Sequence, residues 1–307
     1  MPVRTMQVGD LPQLPVIGQG TWFMGDRRAQ RAAEIDALRL GISLGMTLIN
    51  TAEYYGAGGA EELIADAIAD CRENVFVVTK IWPSHASASD VEATIRASCR
   101  RMRMPYVDMA LLHWPTRSVP LAETVQGLRA ARKAGLVRHI GVSNFDGAWL
   151  ERLRASEQTT GELCANEVPY SLANRGIEHE ILPEAEAHHR IVLAYSPLAH
   201  GRYAGWDQKP GLRAAADAHG ASPLQIALAW TVQRTGVVAL PKAVSPAHVR
   251  ANAQAGDIVL SEDEMSSIDR DFPRMARPYR PLLPANMALH RLALGAARMQ
   301  RRMRGAT

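Results

Sequence analysis

Cysteine is scarce in this 307-residue chain. Cys71, Cys99 and Cys164 lie far apart and form neither a CxxC pair nor a Cys/His ligand pattern, which argues against a disulfide framework and a structural zinc. Long apolar runs are missing as well. No stretch reaches the roughly 18 uninterrupted apolar residues that a bilayer-crossing helix needs, and the start, "MPVRTMQVGDLPQLPVIGQG", has no apolar run behind a basic segment. A soluble, cytoplasmic protein is expected. The chain also lacks a GxGxxG fingerprint, which "GAGGAE" (56–61) does not supply, so a dinucleotide would not be held in the Rossmann manner. Acidic residues are absent from Phe272 to Thr307, where eight arginines stand. The net +4 of the whole, less the tail's +8, leaves −4 on the body, which does not suit a nucleic-acid-binding body.

What is present is a regular alternation. With 47% hydrophobic residues the chain can bury a large core. Eight β-rich runs recur at 15–20, 47–50, 75–80, 107–113, 137–143, 163–168, 191–196 and 237–242. Segments with helical spacing fall near 30–45, 60–71, 89–103, 121–134, 147–156, 178–189, 222–234 and 246–255, with start signals such as Ser89-Asp90 and Ser222-Pro223. Strand then helix, eight times, with continuously apolar strands, predicts a parallel (β/α)8 barrel (TIM barrel), an α/β fold, over residues 1–270. An open doubly wound sheet is the alternative. Before the first strand, "TMQVGDLPQL" reads as a hairpin turning at Gly9-Asp10 that would close the barrel bottom.

Chemistry in such barrels sits at the C-terminal ends of the strands. Those ends carry Trp22, Asn50 with Tyr55, Lys80 with Trp82, His113 with Trp114, Ser143-Asn144, Asn166-Glu167, Tyr195-Ser196 and Lys242. Each alone has an ordinary structural explanation, whereas converging on one mouth they form a candidate site. Tyr55, Lys80 and His113 make a proton-transfer set: an ammonium beside a phenol lowers its pKa from about 10, and a histidine orients the same substrate oxygen. A carbonyl is the natural substrate, its oxygen becoming negative on attack. No metal cluster and no activated serine or cysteine provides the attacker, so a cofactor must. Lys242, with Ser245 and Pro246 opening a helix, suits a phosphate, and Ser143, Asn144, Asn166 and Glu167 suit an amide beside the flat face of Tyr195. A nicotinamide meets that description.

These stretches resemble the aldo-keto reductase superfamily from about Val8 to Asp269: "GQGTW", "NTAEYYG" against the family's DTAxxYG, "VTKIWP", "LLHWP", "GVSNF", "ANEVPYS", "AYSPL" and "LPKAVSP", in order and spacing. Within it the chain most resembles bacterial reductases of methylglyoxal and other small aldehydes. The resemblance implies NADPH-dependent reduction of an aldehyde or ketone carbonyl, with Tyr55 the acid, Lys80 its tuner and His113 the substrate orienter. It implies cofactor contacts from Ser143, Asn144, Glu167, Tyr195, Ser196, Leu198, Lys242, Ser245, His248 and Asn252, and a substrate pocket walled by Trp22, Trp82 and Trp114.

Three positions depart from the family's pattern. Asn50 stands where the tetrad has an aspartate, so the resemblance leaves Lys80 without that counter-charge. An unscreened ammonium would depress Tyr55, whereas burial would discharge Lys80, and the two effects oppose each other. A slower reductase is expected, with gain on Asn50→Asp. Glu167 stands where the family has the carboxamide's glutamine; its charge would favour the oxidised nicotinamide, and a compensating pair with Asn50 is one reading. His248 aligns with a 2′-phosphate-binding arginine, which predicts weaker NADPH preference and admits NADH.

Residues 271–307 are read as a Pro-rich loop (275–284) able to fold over the pocket, then a basic amphipathic helix with apolar residues at 285, 289, 292, 296, 299 and 303. This extension belongs to the same domain or forms a lid. The helix would pack on the barrel or a second subunit, lie on anionic lipid, or stay solvated. The expected protein is a monomer or weak homo-oligomer with a small carbonyl substrate. Two rival functions remain on the same fold: a non-catalytic nicotinamide-sensing protein, favoured by Asn50 and Glu167, and a Schiff-base aldolase using Lys80.

Overall fold

The computed structural model describes residues 3–155 and 162–281. The predicted basic helix at 285–303 lies outside the described residues. Strands β1 (Thr5–Met6) and β2 (Leu14–Pro15) pair antiparallel about a turn in which Gly9 has φ 54°, as the hairpin reading expected. Eight parallel strands follow: β3 (Gln19–Gly20), β4 (Leu48–Asn50), β5 (Phe76–Ile81), β6 (Val107–Leu112), β7 (Val137–Ser143), β8 (Leu163–Pro169), β9 (Ile191–Tyr195) and β10 (Val237–Leu240). They pair in chain order. The bridge from Ile17 to Ala239, with Gly18 N–H donating to Ala239 C=O at 2.8 Å and Gly20 N–H to Pro241 C=O at 3.1 Å, joins first to last. The result is the (β/α)8 barrel and not the open sheet.

Ten α-helices are present among the described residues: α1 (Arg31–Ser43), α2 (Gly59–Ala67), α3 (Ala88–Met102), α4 (Leu121–Lys133), α5 (Gly147–Ala155), α6 (Ile181–Ala187), α7 (Pro210–His219), α8 (Pro223–Val232), α9 (Pro246–Ala255) and α10 (Glu262–Asp271). Local chemistry accounts for their ends. Ser87 caps α3, accepting from Asp90 N–H, and Arg100 and Arg101 sit in its last turn, where cations suit the helix dipole. Ser222 and Gln225 form a capping box on α8, and Ser261 and Glu264 another on α10. Helices α7 and α10, not expected from the strand–helix rhythm, pack on each other. Gly211 allows the approach, since a Cβ there would stand 2.7 Å from the Ser267 backbone, and Asp271 accepts the free N–H groups of Gly211 and Leu212 at the start of α7.

Strand periodicity sorts side chains into two layers. Ile49, Val77, Ala110, Leu112, Val142, Val168, Val192 and Ala194 face outward and pack under the helices. Leu48, Val78, Met109, Leu111, Ala165, Leu193 and Leu240 fill the interior, with Leu11 and Leu14 of the hairpin segment plugging it. One pleat further along, the same inward rows read Asn50, Lys80, His113, Glu167 and Tyr195. The barrel core is therefore apolar up to its last layer and polar at the mouth.

Candidate active site

The mouth holds a cavity of about 560 Å³. It is lined by Trp22, Tyr54, Tyr55, Trp82, His113, Trp114, Asn50, Ser143, Asn144, Glu167, Tyr195, Ser196, Leu198 and Lys242, among others. Most residues predicted from the strand ends are thus gathered on one surface. Ser245, His248 and Asn252 are not on it: they stand on and before α9, Ser245 and His248 exposed and Asn252 buried.

At the floor, Lys80 is 1% exposed and its ammonium meets four oxygens: Asn50 Oδ1 at 2.7 Å, Thr51 C=O at 2.9 Å, Tyr55 OH at 3.2 Å and Glu167 Oε1 at 3.2 Å. Asn50 Nδ2 donates to the other carboxylate oxygen, Glu167 Oε2, at 2.7 Å. The expectation that Asn50 leaves Lys80 without a carboxylate is therefore corrected, because β8 supplies one from across the barrel. Burial alone would discharge Lys80, but the charge of Glu167, helped by Tyr55, outweighs it and holds the lysine above its ordinary value. Burial pushes Glu167 up against the pull of Lys80 and Asn50; both of its oxygens accept hydrogen bonds, the geometry of an ionised carboxylate.

Tyr55 reverses the direction expected from its lysine neighbour. Burial raises its pKa, Glu167 adds to the rise, and Lys80 only partly offsets both. A protonated phenol at neutral pH is the consequence. His113, 7% exposed, is driven well below its ordinary value by burial and by Lys80, so its ring is neutral. Its Nδ1 has no hydrogen-bond partner among the described residues. Tyr54 stacks on Trp82 with centroids 4.5 Å apart, and Trp82 meets the His113 ring edge-on at 5.2 Å. Glu53 holds this wall, accepting from Trp82 N–H at 2.9 Å and meeting His85 Nδ1 at 2.8 Å. At the rim, Trp22 is 43% exposed and stacks on Phe23.

Opposite, Glu167 C=O accepts from Ser143 Oγ at 3.0 Å and from Asn144 N–H at 2.8 Å. Asn144 adopts φ 62°, a left-handed conformation that asparagine tolerates better than most residues. Its Nδ2 donates to His113 C=O, and its Oδ1 accepts from Tyr195 OH at 2.9 Å and Tyr279 OH at 3.1 Å. Asn166 faces away from the cavity, exchanging hydrogen bonds with the Phe145 backbone. Tyr279 was not foreseen; nothing in "MARPYRPLLP" distinguishes it. The described part of that segment runs beside the site, with Tyr279 N–H donating to Gly176 C=O at 2.9 Å and Arg280 paired to Glu180. Among the described residues no group of three or more His, Cys, Asp or Glu is placed to hold a metal.

The Aldo/keto reductase family profile matches residues 16–270, which span every strand of this barrel and every residue of its floor. The chain belongs to the aldo/keto reductase family. It is thus an NAD(P)H-dependent oxidoreductase. Among curated relatives, methylglyoxal reductase YeaE of Escherichia coli K12 is 41% identical over 268 residues, 86% of this chain and 93% of that protein. The uncharacterized oxidoreductase Rv2298 of Mycobacterium tuberculosis is 32% identical over 91% of this chain and 95% of its own length. Among solved structures, an aldo/keto reductase from Klebsiella pneumoniae in complex with NADP and acetate is 41% identical with a TM-score of 0.84, covering 90% of this chain and 98% of that one. The thermostable aldo-keto reductase Tm1743, in complex with the inhibitor epalrestat, is 36% identical with a TM-score of 0.82 over 87% of this chain and 99% of its own. Among the described residues of this family member, no helix is long and apolar enough to cross a membrane.

Proposed function

We propose that the protein reduces the carbonyl group of small aldehydes or ketones to an alcohol with NADPH, Tyr55 donating the proton. The observation that carries this reading is the Tyr55 hydroxyl 3.2 Å from the Lys80 ammonium on the floor of a cavity walled by indoles, with neutral His113 beside it. NADPH, when bound, supplies a hydride to the carbonyl carbon. The chain's own residues do the rest. A substrate oxygen that becomes negative needs donors aimed at it, and Tyr55 OH and the His113 ring line that floor. Tyr55 gives up its proton where a phenolate is stabilised by Lys80, and its raised pKa keeps the proton in place until then. Trp82 and Tyr54 exclude water and offer flat apolar faces to the substrate's carbon substituents.

The residues suit the cofactor. Ser143 and Asn144 bring a hydroxyl and an amide to the cavity beside the ring of Tyr195. Ser196, Leu198 and Lys242 continue the lining, and the Ser245 hydroxyl is not spent capping α9, which leaves it for a phosphate with Lys242. His248 and Asn252 extend that end, and residues 271–281 serve as a strap beside the pocket. The kinship with a methylglyoxal reductase and with reductases solved with NADP supports both substrate class and cofactor.

The sensing alternative rests on the departures Asn50 and Glu167, and their joint pairing with Lys80 beside intact Tyr55 and His113 supports catalysis over it; the aldolase alternative needs a neutral amine where Lys80 is held as an ammonium by four oxygens. The test is a panel of aldehydes and ketones, methylglyoxal included, with NADPH and NADH. Turnover with NADPH is expected; no turnover across the panel refutes the reading.

A further inference from the structure

Charge is displaced within the floor of the site. At the end of β4, beside Lys80, stands a neutral amide, Asn50; at the end of β8, where an amide would suffice for hydrogen bonding, stands a carboxylate, Glu167. Glu167 is 2% exposed and its backbone carbonyl already holds Ser143 and Asn144 in place. Its side chain spends both oxygens inward, Oε1 on Lys80 and Oε2 on Asn50. Asn50 is the bridge. Its Oδ1 accepts a hydrogen bond from Lys80 while its Nδ2 donates one to Glu167, an orientation that an amide satisfies and an ionised carboxylate does not, having no proton to donate.

We propose that Glu167 is the counter-ion of Lys80 and, through Asn50, the positioning residue that keeps the Lys80–Tyr55 pair poised for proton donation. Glu167 does this in place of binding a cofactor amide. The proposal rests on the reading of Tyr55 as acid and Lys80 as its partner. Three consequences follow from the geometry. Removing the charge of Glu167 leaves an ammonium buried with neutral partners only. The Asn50 amide loses the acceptor that orients it. The pair Asn50/Glu167 works as a unit, so the charge can be moved from β8 to β4 by exchanging both residues and not by changing either alone.

The titratable groups facing Lys80 and Tyr55 are each other, Glu167 and His113, with Tyr195 facing Glu167 and Tyr55 from β9. Glu167 raises both Lys80 and Tyr55, so its loss moves both downward. The test is the pH profile of kcat and kcat/KM for wild type, Glu167→Gln, Asn50→Asp and the exchange Asn50→Asp/Glu167→Gln, with NADPH affinity measured by fluorescence. Glu167→Gln should lower kcat by about tenfold or more and move the alkaline limb to lower pH by about one unit, with NADPH affinity changed by less than about threefold. The exchange should recover most of both losses. An unmoved alkaline limb, a loss confined to NADPH affinity, or an exchange no better than Glu167→Gln would overturn the proposal. Should Glu167→Gln fail to fold, the exchange carries the test: folded and active supports it, folded and inactive refutes it. In the wild-type protein the 13Cδ signal of Glu167 should report a carboxylate at neutral pH, and a protonated acid there refutes the proposal without any variant. Retained activity in Tyr55→Phe would instead refute the underlying function, a separate outcome.

Discussion

Asn50→Asp puts a carboxylate where the wider family has one, yet it should not improve this enzyme. The new carboxylate would face Lys80 Nζ at 2.7 Å and Glu167 Oε2 at 2.7 Å, the two distances the amide now spans. At an effective dielectric of about 20, each contact is worth about 6 kcal/mol, one attractive and one repulsive. The two cancel. What remains is the cost of desolvating a second buried carboxylate, which is several kcal/mol. The site escapes that cost by keeping a proton between the two carboxylates, as like-charged neighbours do. The folded-state pKa of the added group is then raised above its unfolded value of about 3.9. Such a group contributes stability that is fully present below the unfolded pKa and is lost as pH rises through the folded pKa. The variant should therefore match wild type near pH 4 and fall behind it as pH rises. If the proton stays bound up to pH 7, about three units above the unfolded value, the gap there is about 4 kcal/mol. Urea unfolding of both proteins at several pH values reads it directly. A stability gap that is flat with pH, or a kcat/KM for Asn50→Asp above wild type, would refute the reasoning.

Further expectations concern separate parts of the molecule. Because burial and Lys80 hold His113 well below the usual histidine range, kcat/KM should stay level as pH falls through 6.5, and an acid limb centred there would contradict a neutral ring. Arg175, 4% exposed, is shared by Glu178, Asp269 and the Phe272 carbonyl, so Arg175→Met should cost about 1.5–3 kcal/mol by removing the bidentate partner of buried Glu178, with Tyr170 and Arg274 left beside that acid, read as a loss in the chemical-unfolding midpoint. At Gly176 a Cβ would stand 2.9 Å from the Tyr279 backbone nitrogen; Gly176→Ala should push the 275–281 segment off the site and remove the Tyr279 contact to Asn144, seen as faster amide exchange at Tyr279.

The barrel was legible because its evidence is local and repeated. Apolar runs with polar ends mark each strand, and Asn50, Lys80, His113 and Glu167 each stand two positions beyond an interior residue, Leu48, Val78, Leu111 and Ala165, and so share its face. Helices α7 and α10 escaped because the strand–helix rhythm allots one helix per strand, and α10 buries only Ile268 within a run of charged residues. The Lys80–Glu167 pair was harder to read for a different reason. Pairing order names the neighbours of β5, namely β4 and β6, but which side chain reaches Lys80 from β8 depends on barrel closure and strand stagger, which no local pattern carries. Asn50 therefore looked like a missing charge when it is one half of a displaced one. The direction of Tyr55 misled for the same reason, since its lysine was visible and the burial and second charge around it were not. Tyr279 joins Asn144 across 135 positions of sequence from a segment with no periodicity.

The central claim is proton donation by Tyr55 in NADPH-dependent carbonyl reduction. Steady-state reduction of methylglyoxal by wild type and Tyr55→Phe, with NADPH affinity measured for both, tests it most directly. The account predicts NADPH oxidation matched by alcohol formation in wild type, and a loss of kcat of about a hundredfold or more in Tyr55→Phe with cofactor affinity unchanged. A Tyr55→Phe enzyme within about threefold of wild-type kcat would contradict it.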